Sequence, residues 1–259
     1  MKKLSLLLAL IMVFGCVFTG FVACAKDDDS DKGEPSGGGT STAKPYMVCL
    51  GDSITYGQDG DPGVDAGTRM KTPYPTIIKN QLRYDVENLA VPGATVSTAI
   101  RRPDNSLRPS IFEQLDLIEG TPDIISIMGG VNDSGSVVLG ENSAANRDTA
   151  TFYGAMRSLI SELKMNYPDA YIFFITPLRT QSNQDPTNES SKLTQVATAI
   201  KTICAEFEIP VYDAYTEIEI DFTDPDTSSD GVHIASKVIK NDVAPKIIQF
   251  IKDNYKQDK

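Results

Sequence analysis

Residues 46–55 read Tyr46-Met47-Val48-Cys49-Leu50-Gly51-Asp52-Ser53-Ile54-Thr55, an unbroken apolar run that stops at a glycine and passes at once into small polar residues. A short continuous apolar run of this kind reads as a strand covered on both faces. Four more follow at 86–91, 123–128, 170–176 and 209–213. Between them lie amphipathic segments. Phe152, Met156, Leu159, Ile160 and Leu163 fall on one helical stripe that ends at Tyr167-Pro168, and Leu193, Val196, Ile200, Ile203 and Phe207 repeat the period. A last helix is expected from about Ile234 to Tyr255, with a kink or break at Pro245. Strand and helix in alternation imply a parallel five-stranded sheet with helices on both faces, a three-layer α/β/α sandwich. In such sheets ligands sit beyond the carboxyl ends of the strands, so the residues after each run are where chemistry is sought.

Upstream of this domain, taken as residues 45–259, the chain changes character. Residues 1–23 carry Lys2 and Lys3 and then an apolar stretch ending in Phe21-Val22-Ala23, the pattern of an export signal. Cys24 follows the small Ala23 and precedes Ala25-Lys26-Asp27-Asp28-Asp29, where apolar character ceases. This resembles a bacterial lipoprotein signal, in which the cysteine is acylated and begins the mature chain. Cys16 is the weaker candidate, and a secretory signal cut near the same place or a retained span rank below the lipid anchor. Residues 24–44, acidic and Gly/Ser-rich with no apolar period, read as a flexible tether. The expected location is the cell surface, on a membrane. Two cysteines remain in the domain, Cys49 in a strand and Cys204 on a helix face, and the sequence leaves open whether they form a bridge.

Charge narrows the partners. The whole chain has 24 basic and 35 acidic side chains, and losing Lys2 and Lys3 with the signal leaves 22 against 35. Nucleic acid is excluded as an expected partner, because phosphate binding needs a positive footprint. Neutral or cationic substrates suit this balance better. There is no Walker loop, no G-x-G-x-x-G, no C-x-x-C and no H-E-x-x-H. One histidine and two domain cysteines speak against a zinc centre, so no metal and no cofactor are expected.

Three of the strand-ending turns carry candidate groups. Gly51-Asp52-Ser53-Ile54-Thr55 follows the first strand, Pro92-Gly93-Ala94 the second, and Gly129-Gly130-Val131-Asn132-Asp133 the third. Each alone is what an ordinary turn prefers. The only histidine of the chain, His233, stands in Asp230-Gly231-Val232-His233 just before the last helix. An aspartate three residues ahead can fold back onto the imidazole within one turn, fix its tautomer and support the imidazolium, as nucleophilic catalysis by serine requires.

The four blocks in this order, GDSIT at 51–55, Gly93, GVND at 130–133 and DGVH at 230–233, resemble the SGNH hydrolases, also called GDSL esterases and lipases. The resemblance spans about residues 46–250 and implies a flavodoxin-like sheet order. It implies Ser53 as nucleophile, His233 as base, Asp230 as its orienting partner, and an oxyanion hole of the Ser53 and Gly93 amides with the Asn132 side chain. Ile54 stands where many members have leucine, and Pro92 precedes Gly93. The G-x-S-x-G elbow of α/β-hydrolases is absent.

The expected activity is an exported serine esterase acting through an acyl-enzyme on a small-molecule or glycan ester, with small acyl groups on carbohydrates preferred. A lipase or lysophospholipase is the alternative within the family, and a surface binding module without chemistry is the alternative outside it. Asp52 and Asp133 as a glycosidase pair are the weaker proposal. Residues 56–72 with Arg69, 101–109 with Arg101, Arg102 and Arg108, and 178–190 are expected to frame the pocket.

Overall fold

The computed structural model describes residues 43–256. The signal segment 1–23, Cys24 and the tether up to residue 42 lie outside the described residues, as do 257–259.

Five parallel strands, β1 (Tyr46–Gly51), β2 (Asp85–Asn88), β3 (Ile124–Met128), β4 (Tyr171–Ile175) and β5 (Val211–Tyr212), form one sheet in the order β2-β1-β3-β4-β5. This is the doubly wound order whose switch point falls between β1 and β3. The register Met47↔Ile124 through Gly51↔Met128 brings the carboxyl ends of those two strands level. The turns after them therefore open side by side.

Alternate side chains along each strand feed opposite layers, as the two-residue strand period demands. Met47, Cys49, Ile124, Phe173 and Ile175 pack in one core with Ile77 and Ile78 of α2 (Tyr74–Leu82) and Ile247, Ile248 and Ile251 near the chain's end. Val48, Leu50, Ile125, Ile127 and Phe174 pack in the other with α4 (Phe152–Asn166) and α5 (Lys192–Glu206). The short helices α1 (Ser53–Tyr56), α3 (Phe112–Leu115) and α6 (Ala214–Glu217) lie in the connections. Cys49 and Cys204 belong to the two different cores and are buried free thiols, which settles the bridge left open by the sequence.

Three boundaries differ from expectation, each for a local reason. β2 ends at Asn88 rather than Val91; beyond it Leu89 N and Val91 N still donate to Cys49 O and Gly51 O at 3.0 and 3.1 Å, and the Asn88 side chain donates to Thr55 O at 2.7 Å and accepts from Ala90 N at 3.2 Å. β5 keeps only Val211 and Tyr212 of the expected 209–213, since Pro210 has no N–H to give a ladder and Glu208 is left-handed at φ 57°. The last helix is divided into α7 (Ser236–Val238), a π turn (Ile239–Val243) and α8 (Ala244–Asn254). The break expected at Pro245 is this π turn: Ala244 N–H reaches back to Ile239 O, and Pro245 enters the first turn of α8, where a missing N–H is harmless.

Candidate active site

The turn after β1 is shaped by its glycine. A Cβ on Gly51 would lie 2.3 Å from Met128 O and 2.6 Å from Thr55 Oγ1, so only glycine lets α1 start this close to β3. Asp52 then caps α1, accepting from Ile54 N at 2.9 Å. Ser53 is the first residue of that helix. Its N–H has no helical acceptor, and no other acceptor binds it among the described residues.

His233 and Asp230 approach from the loop before α7. His233 Nε2 lies 2.9 Å from Ser53 Oγ, and His233 Nδ1 lies 2.6 Å from Asp230 Oδ2. An ionised carboxylate only accepts, which puts the imidazole proton on Nδ1 and leaves Nε2 to accept from the serine hydroxyl. Asp230 Oδ1 accepts from the Val232 and His233 amides at 2.9 and 2.8 Å, closing the loop within one turn. Partial burial raises the Asp230 carboxyl, but the bonds from the His233 ring and the two amides outweigh it and hold it below the usual carboxylate range. It is therefore an anion at neutral pH, able to support an imidazolium.

The second and third blocks meet each other at the same end of the sheet. Gly93 adopts φ 80°, and its amide has no acceptor among the described residues. Asn132 Nδ2 donates to Ala94 O at 3.0 Å, which uses one of its two hydrogens and leaves the other for a ligand. Asp133 fixes this meeting: its buried carboxylate accepts from Val96 N and Ser97 N at 2.9 Å each and from the Ser97 hydroxyl. Burial pushes the Asp133 carboxyl up to about 6 against the pull of those three donors. The weaker glycosidase proposal loses its footing here, because both Asp133 oxygens are committed to the second block.

Several contributing residues carry no signal in the sequence. Gln114 of α3 bonds both backbone groups of Gly51, and Gln58 brings its side-chain amide to 3.3 Å from His233 Nδ1. Asp61 holds the start of α7 through Ser236 N at 2.9 Å and the Ser236 hydroxyl. Of the three segments expected to frame the pocket, 56–72 folds back through a Gln58↔Arg69 bridge, with the Arg69 guanidinium 4.6 Å over the Tyr56 ring. Segment 178–190 braces the histidine loop, Gln181 N donating to Gly231 O at 2.8 Å. Segment 101–109 is a small hairpin bridged at Arg101↔Leu107 that carries Arg108 to 3.5 Å from Asn132 Oδ1.

Residues 49–237 match the model of the GDSL-like Lipase/Acylhydrolase family, more than half of the chain. The chain belongs to this family. No curated protein matches it in sequence. Among solved structures it is similar to the native aryl esterase of M. smegmatis, with a TM-score of 0.60 and 18% identity over 82% of this chain and 100% of that one. It is similar to the lipase/acylhydrolase of Enterococcus faecalis, with a TM-score of 0.57 and 20% identity over 83% and 99%. A carbohydrate acetylesterase from Sinorhizobium meliloti gives a TM-score of 0.59 and 16% identity over 82% and 100%. At these identities the structural likeness speaks for the fold, and the family match rests on the sequence blocks.

Proposed function

We propose that this GDSL-family chain is a serine esterase that cleaves carboxylic esters through an acyl-enzyme at Ser53. The observation that carries this reading is the unbroken bond sequence from Ser53 Oγ through His233 Nε2 and Nδ1 to Asp230, at 2.9 and 2.6 Å. Ser53 Oγ attacks the ester carbonyl while His233 Nε2 takes its proton, then His233 returns that proton to the leaving alkoxide. Water repeats the two transfers and releases the acid. The oxyanion of each tetrahedral intermediate meets the Ser53 and Gly93 amides and the remaining Asn132 N–H, each donor of this kind contributing about 10²- to 10³-fold in rate.

The favoured substrates are small acyl groups on carbohydrates. What supports this is the likeness in fold to a carbohydrate acetylesterase, over 82% of this chain. Concavities of about 340 and 390 Å³ lie away from Ser53, lined by groups such as Tyr212 and Phe250 or Asp221 and Lys237. The small cavity behind the nucleophile turn, between Asp52, Ile54, Met128 and Val232, holds only about 10 Å³. The enzyme is proposed to work at a membrane surface, held by lipid on Cys24.

Hydrolysis of p-nitrophenyl acetate by the purified domain, compared with Ser53→Ala, His233→Ala and the double variant, tests the reading. The two single losses should be similar and the double no worse, because the residues act as one unit. Near-normal turnover by His233→Ala would contradict the mechanism. A series of acetylated sugars against acyl chains of rising length then separates carbohydrate esterase from lipase.

A further inference from the structure

Resting on the esterase reading, we infer that this site selects esters that carry a carboxylate or another compact anion close to the scissile group, held by Arg102 and Arg108. A Cβ placed on Gly93 would lie 3.2 Å from Arg108 Nη1 and 3.9 Å from Arg102 Nη2. Two guanidinium groups thus converge on one point, above the very turn that presents the Gly93 amide. Arg108 also reaches the Asn132 carboxamide oxygen at 3.5 Å, opposite the nitrogen that faces Ala94 O.

Like charges so placed repel unless something negative lies between them. Among the described residues neither arginine has a carboxylate within ion-pair distance. Asp104, the acid nearest in sequence, bonds the Ser106 amide at 3.0 Å and the Ser106 hydroxyl at 2.6 Å; the Arg102 charge helps to lower its carboxyl, but the two form no ion pair. Arg102 makes one long bond, 3.4 Å to Leu107 O, so most of its five donors are free. Arg108 is only partly exposed and Arg102 stands at the rim. A planar, always-charged fork with unused donors suits a carboxylate or phosphate oxygen pair, which a lysine at the same place would hold less specifically.

The hairpin that delivers the pair is built for position. Arg102 N donates to Ser106 O at 2.8 Å, Asn105 turns the chain with φ 67°, and Arg108 N donates to Ile100 O at 2.9 Å. Thr95 and Ser110 bridge its base to the Gly93 loop. The backbone that carries the two arginines is therefore tied to the turn that carries the Gly93 amide. In a chain of net charge −11, this local positive spot reverses the substrate preference that bulk charge suggests.

The test is the ratio of kcat/KM for an anionic ester to that for a neutral one of equal size. Suitable pairs are the p-nitrophenyl ester of a monosuccinate against that of butyrate, and an O-acetylated methyl glucuronide against the acetylated methyl glucoside. The first pair places the anion on the acyl side and the second on the alcohol side, and a sugar phosphate acetate in place of the glucuronide separates phosphate from carboxylate. The wild-type enzyme should favour the anionic member of at least one pair by tenfold or more, with the preference weakening as salt rises. Arg102→Gln and Arg108→Gln should each reduce that ratio about tenfold. Hydrolysis of neutral esters with no anionic preference in any pair would overturn this inference and leave the esterase standing. An equal loss on charged and neutral esters in both variants would also overturn it, making the arginines supports of the Asn132 amide. Hydrolysis of no ester would overturn both readings.

Discussion

Gln114 closes a two-bond ring on Gly51, its Oε1 accepting from Gly51 N at 2.8 Å and its Nε2 donating to Gly51 O at 2.7 Å. Gln114 is completely buried and lies 63 residues along the chain from its partner. The contact pins the backbone two residues before Ser53 to the helix α3 on the far side of β1. Replacing Gln114 by Leu keeps the volume but leaves the buried Gly51 N–H without its acceptor, while Gly51 O keeps the Val91 N–H at 3.1 Å. The expected result is a loss of about 1–3 kcal/mol in urea unfolding for the group left unpaired, and a fall in kcat greater than any rise in KM. Unchanged stability and unchanged kcat would show that the ring does nothing for the nucleophile turn.

Asp52 gives the fold a pH dependence of its own. Its carboxyl lines the small, mostly apolar cavity with Ile54, Met128 and Val232, and burial, with a lesser push from Asp133, raises it to about 7. A carboxyl raised on folding binds its proton more tightly in the native state. Its contribution to stability is complete below the unfolded value of 3.8 and is lost as pH climbs through about 7. Asp52→Asn, whose amide oxygen can still accept from Ile54 N, should therefore flatten the decline in unfolding free energy between pH 3.8 and about 7. A wild-type protein equally stable across that interval would contradict this account of Asp52.

Asp230 makes a separate prediction about rate. In Asp230→Asn the amide oxygen can keep the Val232 and His233 bonds, so the loop should hold its path. The partner facing Nδ1 is no longer an anion, and the imidazolium that forms during attack loses its support. A fall in kcat of about 10²- to 10⁴-fold with little change in KM is expected. A variant within threefold of wild type would show that His233 works without Asp230.

Much of this arrangement was legible before the structure was known, and the part that was not has a common cause. The stripe from Phe152 to Leu163 located α4 because each of its members is buried against β3 and β4. The strands β1 and β3 were legible for the same reason. Ser53, Gly93 and Asn132 stood out because each follows an apolar run in a recognisable block, and Asp230 and His233 because the chain's one histidine has an aspartate three residues ahead. Gln58 and Gln114 announce nothing locally, since their contacts span 175 and 63 residues and depend on how the sheet brings distant turns together, whereas Arg108 was named for the rim but not for its approach to Asn132. The bounds of β2 and β5 were drawn too wide because apolar residues extend beyond the ladder in both, after Asn88 in one and before Val211 in the other.

Cys24 lies outside the described residues, so the anchor rests on the sequence pattern at 21–29 and is tested in cells. Cys24→Ser in the native host should leave the protein unprocessed or free it from the membrane fraction, since two or three acyl chains hold a surface far better than one. The isolated domain from residue 44 onward should hydrolyse esters as the full chain does. A wild-type mature N-terminus without lipid, found by mass spectrometry on protein from the medium, would replace the anchor with simple secretion.

The most direct measurement is the site of covalent labelling by an alkyl fluorophosphonate, read by peptide mass spectrometry. The phosphorus takes the place of the ester carbonyl: the Ser53 oxygen bonds to it as His233 takes the hydroxyl proton, fluoride leaves to solvent, and the adduct stays because it is not readily hydrolysed. The account predicts one adduct, on the peptide that carries Ser53, formed in step with loss of esterase activity and nearly absent from His233→Ala. Esterase activity that survives full labelling of Ser53, or an inactivating adduct on any other residue, would contradict it.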